Sequence, residues 1–173
     1  MNNVSFREGN AVELPFADDT FDAVVTRLSV HHFDRPGRVM SEIFRVVRPG
    51  GSFVVADVIS SEVAAESELQ NAIEILRDPS HVRMLPGSDL TSLVKQAGFT
   101  IESETSWDKP REFGEWMGIV NDPSRVPPLR AVVRALAKAG ASAGIGLSVH
   151  GEEIRFFHRW NLIAARKPGG QSG

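Results

Sequence analysis

Two continuous apolar runs separated by an amphipathic stretch organise the first third of the chain. Ala23-Val24-Val25 centres the segment Phe21–Arg27, and Phe53-Val54-Val55-Ala56 forms the body of Ser52–Asp57. Uninterrupted runs of this kind suit strands buried on both faces, as in a parallel sheet. Between them, Val39, Ile43, Val46 and Val47 recur at helical spacing, which predicts a helix from about Asp34 to Val47 with Asp34 as cap and Pro36 in its first turn. Arg48-Pro49-Gly50-Gly51 stops that helix, because proline cannot continue it and glycine permits a left-handed turn. Strand, helix, glycine-rich stop and strand make a parallel crossover unit.

The pattern weakens on either side of this unit. Val4-Ser5-Phe6 reads as a short strand ended by Glu8-Gly9-Asn10, and Leu14-Pro15-Phe16 with Asp18-Asp19 reads as a turn-rich loop. Helices are predicted over Ala64–Leu76, closed by Asp78-Pro79, and over Asp89–Ala97, capped by Ser88 or Asp89 and stopped at Gly98. Thr100–Trp107 suggests a strand; Glu112–Met117 and Leu129–Ala139 suggest helices. Ile154–Ala165 suits a closing strand pair or one long strand. The reading is α/β, a single domain over residues 1–168, with a Pro/Gly/Ser tail that frays from about Lys167 and is disordered over 169–173.

Composition narrows the function classes. The 173 residues carry 19 Lys and Arg against 22 Asp and Glu, and no basic block stands out, which argues against a nucleic-acid partner held through phosphates. The sequence has no cysteine, so disulfides, thiolate metal sites and thiol catalysis are excluded together. The stretch Ala139–Val149 is far short of a membrane span, and Met1-Asn2-Asn3 starts no basic-then-apolar leader. A cytoplasmic protein without membrane partners is the expectation.

Four segments in order carry a resemblance: Gly9-Asn10-Ala11 with Leu14-Pro15-Phe16; Phe21-Asp22-Ala23-Val24-Val25; His31-His32-Phe33; and Glu42-Ile43-Phe44-Arg45-Val46-Val47-Arg48-Pro49-Gly50-Gly51. Together they resemble the class I S-adenosylmethionine-dependent methyltransferases, the subgroup related to ubiquinone and menaquinone biosynthesis most of all. The resemblance implies an incomplete Rossmann-like sheet, mostly parallel with a C-terminal antiparallel strand pair, and S-adenosylmethionine over the carboxyl ends of its central strands. It makes Val4–Phe6 the family's third strand, Ala23–Arg27 its fourth and Ser52–Asp57 its fifth. The family's first strand, Gly-x-Gly-x-Gly turn and acidic second-strand end would precede Val4, so the chain corresponds to the C-terminal two-thirds of such an enzyme. Gly144-Ile145-Gly146 follows a helix and opens no nucleotide-binding helix.

Carried over by position, Asn10 and Ala11 would meet the adenine and Arg27 and Leu28 the methionine end of the cofactor. Asn10 stands where the family usually has Asp, keeping an acceptor but losing the charge. His31 and His32 follow one strand and Asp57 ends its neighbour, so the three could converge. Imidazole could take a proton from a hydroxyl acceptor, and Asp57 could orient it. Each also has a plainer reading: Asn10 as a turn-former, Arg27 as a solvated strand end, a histidine that fixes its loop, Asp57 as a strand-end cap. Trp107, Phe113, Trp116, Met117 and Trp160 wall an apolar pocket or simply fill the core. No metal is expected, since His81, His150 and His158 lie in different elements from the histidine pair.

The reading is therefore methyl transfer to a small organic acceptor. The alternative is a catalytically silent, self-associating fragment without cofactor binding. A nicotinamide-dependent dehydrogenase fragment shares the sheet but not the motif set. In the family's order the first and second strands lie between the third and fourth, so the fourth should have an open apolar edge, and a homodimer through that edge is expected.

Overall fold

The computed structural model describes residues 3–169. Its elements run β1 (Phe21–Arg27), a 3₁₀ turn (Val30–His32), α1 (Pro36–Val46), β2 (Val47–Ile59), α2 (Ala64–Arg77), α3 (Gly87–Gln96), β3 (Thr100–Glu112), α4 (Phe113–Val120), a second 3₁₀ turn (Pro123–Arg125), α5 (Val126–Lys138), β4 (Ser148–His150) and β5 (Glu153–Arg166). The sheet order is β1-β2-β5-β3, with β4 paired to β5. Among these strands only β1 and β2 run parallel; β5 is antiparallel to β2, β3 and β4. The α/β reading holds, but the expected mostly parallel sheet does not. The long strand β5 inserts between β2 and β3 and turns every pairing it makes antiparallel.

Strand β5 also separates the two cores, because its side chains alternate between faces. Ile163 and Ala165 join Phe53, Val55 and Phe99 beneath α1 and α3. Ile154 and Phe156 face the opposite way, into a cluster with Phe113, Trp116 and Met117 of α4 and Leu129 and Val133 of α5. Each fully buried Leu, Ile or Phe in these clusters contributes about 1.5–3 kcal/mol of transfer free energy.

Several expectations need correction. Val4–Phe6 forms no strand, and Phe6 is 97% exposed. Strand β1 is not buried on both faces: Val24 packs on the first core, but Val25 is 68% exposed because no described element covers that side. Asp34 does not cap α1; the cap position is Arg35, with Pro36 at the first turn. The cap position of α3 is Pro86, while Ser88 binds Glu62 instead. Nor does the chain fray at Lys167. Its N–H donates to the Gly51 carbonyl, and its Nζ donates to Asp19 Oδ1 and to the Phe44 and Val47 carbonyls. The expected disordered tail lies outside the described residues beyond Gly169.

The loop Leu14–Phe16 is held by one ion pair. Glu42 accepts from the Leu14 N–H, and Arg45 donates to Glu42, to Asp18 and to the Leu14 and Phe16 carbonyls. The Arg45 hydrogen bond is the main reason the Glu42 carboxyl is held down to about 2. Arg48–Gly51 is, as expected, a structural return: Gly50 takes a φ of +75°, and a Cβ on Gly51 would lie 2.8 Å from the Arg48 carbonyl and 2.9 Å from that of Asp22. Gly51→Ala is therefore expected to destabilise the fold by about 1–3 kcal/mol. Gly118→Ala, on the exposed face of α4 with nothing near its added Cβ, should stabilise it by about 0.5–1 kcal/mol. Paired urea denaturation curves check both, and equal shifts would contradict the packing described.

Candidate active site

The carboxyl ends of β1 and β2 lie side by side, in the register Arg27 to Ala56, and the next residue on β2 is Asp57. Asp57 is 1% exposed, yet its carboxylate meets four donors. Oδ2 accepts from the N–H groups of Ser29 (3.0 Å) and Val30 (2.7 Å); Oδ1 accepts from the Val58 N–H (2.7 Å) and from His31 Nδ1 (2.5 Å). A buried carboxylate persists only when its lone pairs are satisfied, and here they are. The carboxylate thus fixes the turn after β1. It also puts the His31 proton on Nδ1, which leaves Nε2 as the ring's acceptor.

Leu28, where the chain leaves β1, has a φ of 52°. This is costly for a residue with a Cβ, and the Leu28 N–H bond to the Ala56 carbonyl, together with the Asp57 contacts on Ser29 and Val30, holds it there. His32 is pinned from another direction: its Nδ1 donates to the Ser80 carbonyl at 2.8 Å. His31 and His32 have ring centroids 4.2 Å apart.

These residues open on a cleft of about 370 Å³, bounded by Arg27, Leu28, His31, His32, Val58 and Trp160 with residues of α2, β3 and α4. The expected convergence of His31, His32 and Asp57 is present, and Asp57 has the orienting position. The cofactor candidates divide. Arg27 and Leu28 border this cleft, with the Arg27 guanidinium 5.2 Å above the Trp160 ring. Asn10 and Ala11 do not border it; Asn10 Oδ1 accepts from the Val12 N–H, an Asx turn. Of the aromatic set, Phe113, Trp116 and Met117 are core, whereas Trp160 walls the cleft and Trp107 stacks on it at 5.7 Å.

The sequence alone did not bring in His81, His158 and Glu74. Glu74 of α2 bonds Arg77 at 2.9 Å and His158 of β5 at 2.9 Å. Burial pushes the Glu74 carboxyl up, but the His158 hydrogen bond and the nearby positive charges outweigh it and hold it to about 2. His81 donates from Nε2 to Asn71 Oδ1, an oxygen that also accepts the Met84 N–H. The alternation Phe156, His158, Trp160 was the one available signal, since it puts His158 on the face of β5 that lines the cleft. Among the described residues, no three His, Asp or Glu side chains are placed to hold a metal ion. Also among them, no helix is long and apolar enough to cross a membrane.

Residues 1–55 match the methyltransferase domain family. The uncharacterized protein YafE of Escherichia coli is 33% identical over 123 residues, which are 71% of this chain and 59% of YafE. The uncharacterized methyltransferase YcgJ of Bacillus subtilis is 32% identical over 117 residues, 68% of this chain and 46% of YcgJ. The YcgJ crystal structure superposes with a TM-score of 0.87 at 27% identity, covering 98% of this chain and 73% of that one. The demethylmenaquinone methyltransferase of Renibacterium salmoninarum is 40% identical over 55 residues, 32% of this chain and 23% of that protein. This chain thus spans about half the length of the curated relatives it matches.

Desolvation, with further lowering from His31 and His32 and an opposing pull from Glu74, holds His81 down to about 4. The unfolded histidine titrates near 6.5, so between about pH 6.5 and 4 the unfolded state binds the extra proton. Folding stability is expected to fall as pH drops through that window. His81→Gln should flatten the slope of unfolding free energy against pH there, as read from urea curves at half-unit steps; an unchanged slope would show that His81 is not the group involved.

Proposed function

We propose that this chain, whose fold and sequence relationships are those of S-adenosylmethionine-dependent methyltransferases, transfers a methyl group to a small organic acceptor held in the cleft beside His31. The observation that carries this reading is the placement of Leu28, His31 and Asp57 at the adjacent carboxyl ends of two parallel strands. That is where ligands of open α/β sheets bind. The 40% identity to a demethylmenaquinone methyltransferase over 55 residues supports that subgroup as the finer reading.

The residues present fit one wall of a cofactor site. The left-handed turn at Leu28 bares a strand end beside the cleft and Arg27 flanks it; Asn10, outside this cleft, retains a second lone pair on its amide oxygen. The sequence contains no Gly-x-Gly-x-Gly turn to bring backbone N–H groups against a nucleotide, and Gly144-Ile145-Gly146 packs against Glu66 and Phe157 instead. When bound, the cofactor supplies an electrophilic methyl group. The chain's own contribution is alignment, with His31 Nε2 available to take a hydroxyl proton while Asp57 keeps Nδ1 protonated and stabilises the cation formed. His32, tied to the loop at Ser80, narrows the same opening.

The exposed side of β1 motivates the alternative, self-association without cofactor binding. Val25 projects there and no described strand pairs with that edge of β1. Titration calorimetry with S-adenosylhomocysteine, on a sample whose mass is measured by light scattering, separates the two. Micromolar binding, abolished or weakened about tenfold by Leu28→Gly, is the expected result. A dimer that leaves the ligand unbound at millimolar concentration would overturn the enzyme reading in favour of the alternative.

A further inference from the structure

One wall of the cleft is built for negative charge. Lys109 and Arg111 of β3 alternate onto the face that carries His158 and Trp160 of β5, and Arg27 reaches over Trp160 from the end of β1. The charges around the cleft are Arg27, Arg77, Lys109 and Arg111 against Glu74, Asp78 and Glu115, with His31, His32, His81 and His158. Most are already spoken for. Arg77 is paired with Glu74, Arg111 with Glu115, and Asp78 accepts from Ser80. Among the described residues, Arg27 and Lys109 have no acidic partner.

A second observation points the same way. Trp160 is 7% exposed and its indole N–H is buried without an acceptor; the Nε of Arg111, whose side chain is 10% exposed, is likewise unpartnered. A buried donor without an acceptor costs about 1–3 kcal/mol, so two beside one opening mark a place where an acceptor belongs. The neighbouring surface is apolar, from Leu28, Val58, Met84 and Ile119.

We infer that the methyl acceptor is an acid, its carboxylate or phosphate held by Arg27 and Lys109 against Trp160 while its apolar body lies along the cleft toward His31. The inference rests on the functional reading above, because it takes the cleft as the acceptor's. Charge-assisted contacts of this kind fix the orientation of a small ligand, and a guanidinium matches either oxyanion. Acceptors of this class would be recognised by one charged end and methylated elsewhere.

The test is made without cofactor, so that it stands apart from S-adenosylhomocysteine binding. Benzoate, phenyl phosphate and the neutral benzyl alcohol are titrated into the chain and into the R27M/K109M double variant, with circular dichroism and melting curves confirming that both are folded. At least one of the two anions is expected to bind about tenfold more tightly than the alcohol, and that preference should vanish in the double variant. Preference for benzoate identifies a carboxylate, and preference for phenyl phosphate a phosphate. Lys109→Met alone, which leaves the contact between Arg27 and Trp160 in place, should show an intermediate loss. Equal affinities for the three ligands, no anion binding at tens of millimolar, or a preference that survives in R27M/K109M would each overturn the inference. Binding of S-adenosylhomocysteine with no anion preference would overturn it while leaving the methyltransferase reading intact.

Discussion

One buried carboxylate holds the site together. Asp57 stands where β2 runs past the end of β1, and it takes hydrogen bonds from two backbone N–H groups of the turn after β1, from its own neighbour and from His31. Remove it and those donors lose their acceptor, and only the Leu28 N–H bond to the Ala56 carbonyl is left to hold Leu28 in its left-handed conformation. Charge-assisted hydrogen bonds to backbone N–H are among the stronger contacts a fold can make, and here they join two strands and a catalytic candidate at a single point. The parallel pairing of β1 with β2 brings this point about, since only parallel neighbours set their carboxyl ends together.

Around that point the chain arranges its charges by depth. Glu74, His158 and Arg77 form a buried group whose members satisfy each other, and beside them burial, with His31 and His32, holds the His81 pKa down while its Nε2 donates to Asn71. Nearer the opening, Arg27 and Lys109 face the cleft without acidic partners among the described residues. A polar network sealed on one side and open on the other is what a cleft for a small polar ligand requires: the sealed part rigidifies, and the open part binds.

Much of this was legible in the sequence, for identifiable reasons. The runs Phe21–Arg27 and Phe53–Ala56 and the helical spacing from Val39 onward are local patterns, and the elements followed them. His31, His32 and Asp57 could be brought together on paper because the parallel crossover fixes which strand ends are neighbours. What was not legible depends on long-range pairing. The antiparallel insertion of β5 between β2 and β3 leaves no trace in periodicity, so the mostly parallel sheet was a wrong expectation. Val4–Phe6 has strand composition, but among the described residues no strand pairs with it. His81 and Glu74 reach the cleft only because α2 and the loop after it fold back over the sheet, and Lys167 is held by carbonyl groups more than a hundred residues earlier in the chain.

Asp57 is the group that holds the turn after β1. Amide hydrogen exchange of Ser29 and Val30, compared between the native chain and Asp57→Ala at neutral pH, tests this most directly. The account requires strong protection of both amides in the native chain and its near-complete loss in the variant, while Val55 and Ile163 in the first core stay protected. Protection of Ser29 and Val30 that is unchanged in Asp57→Ala would contradict it.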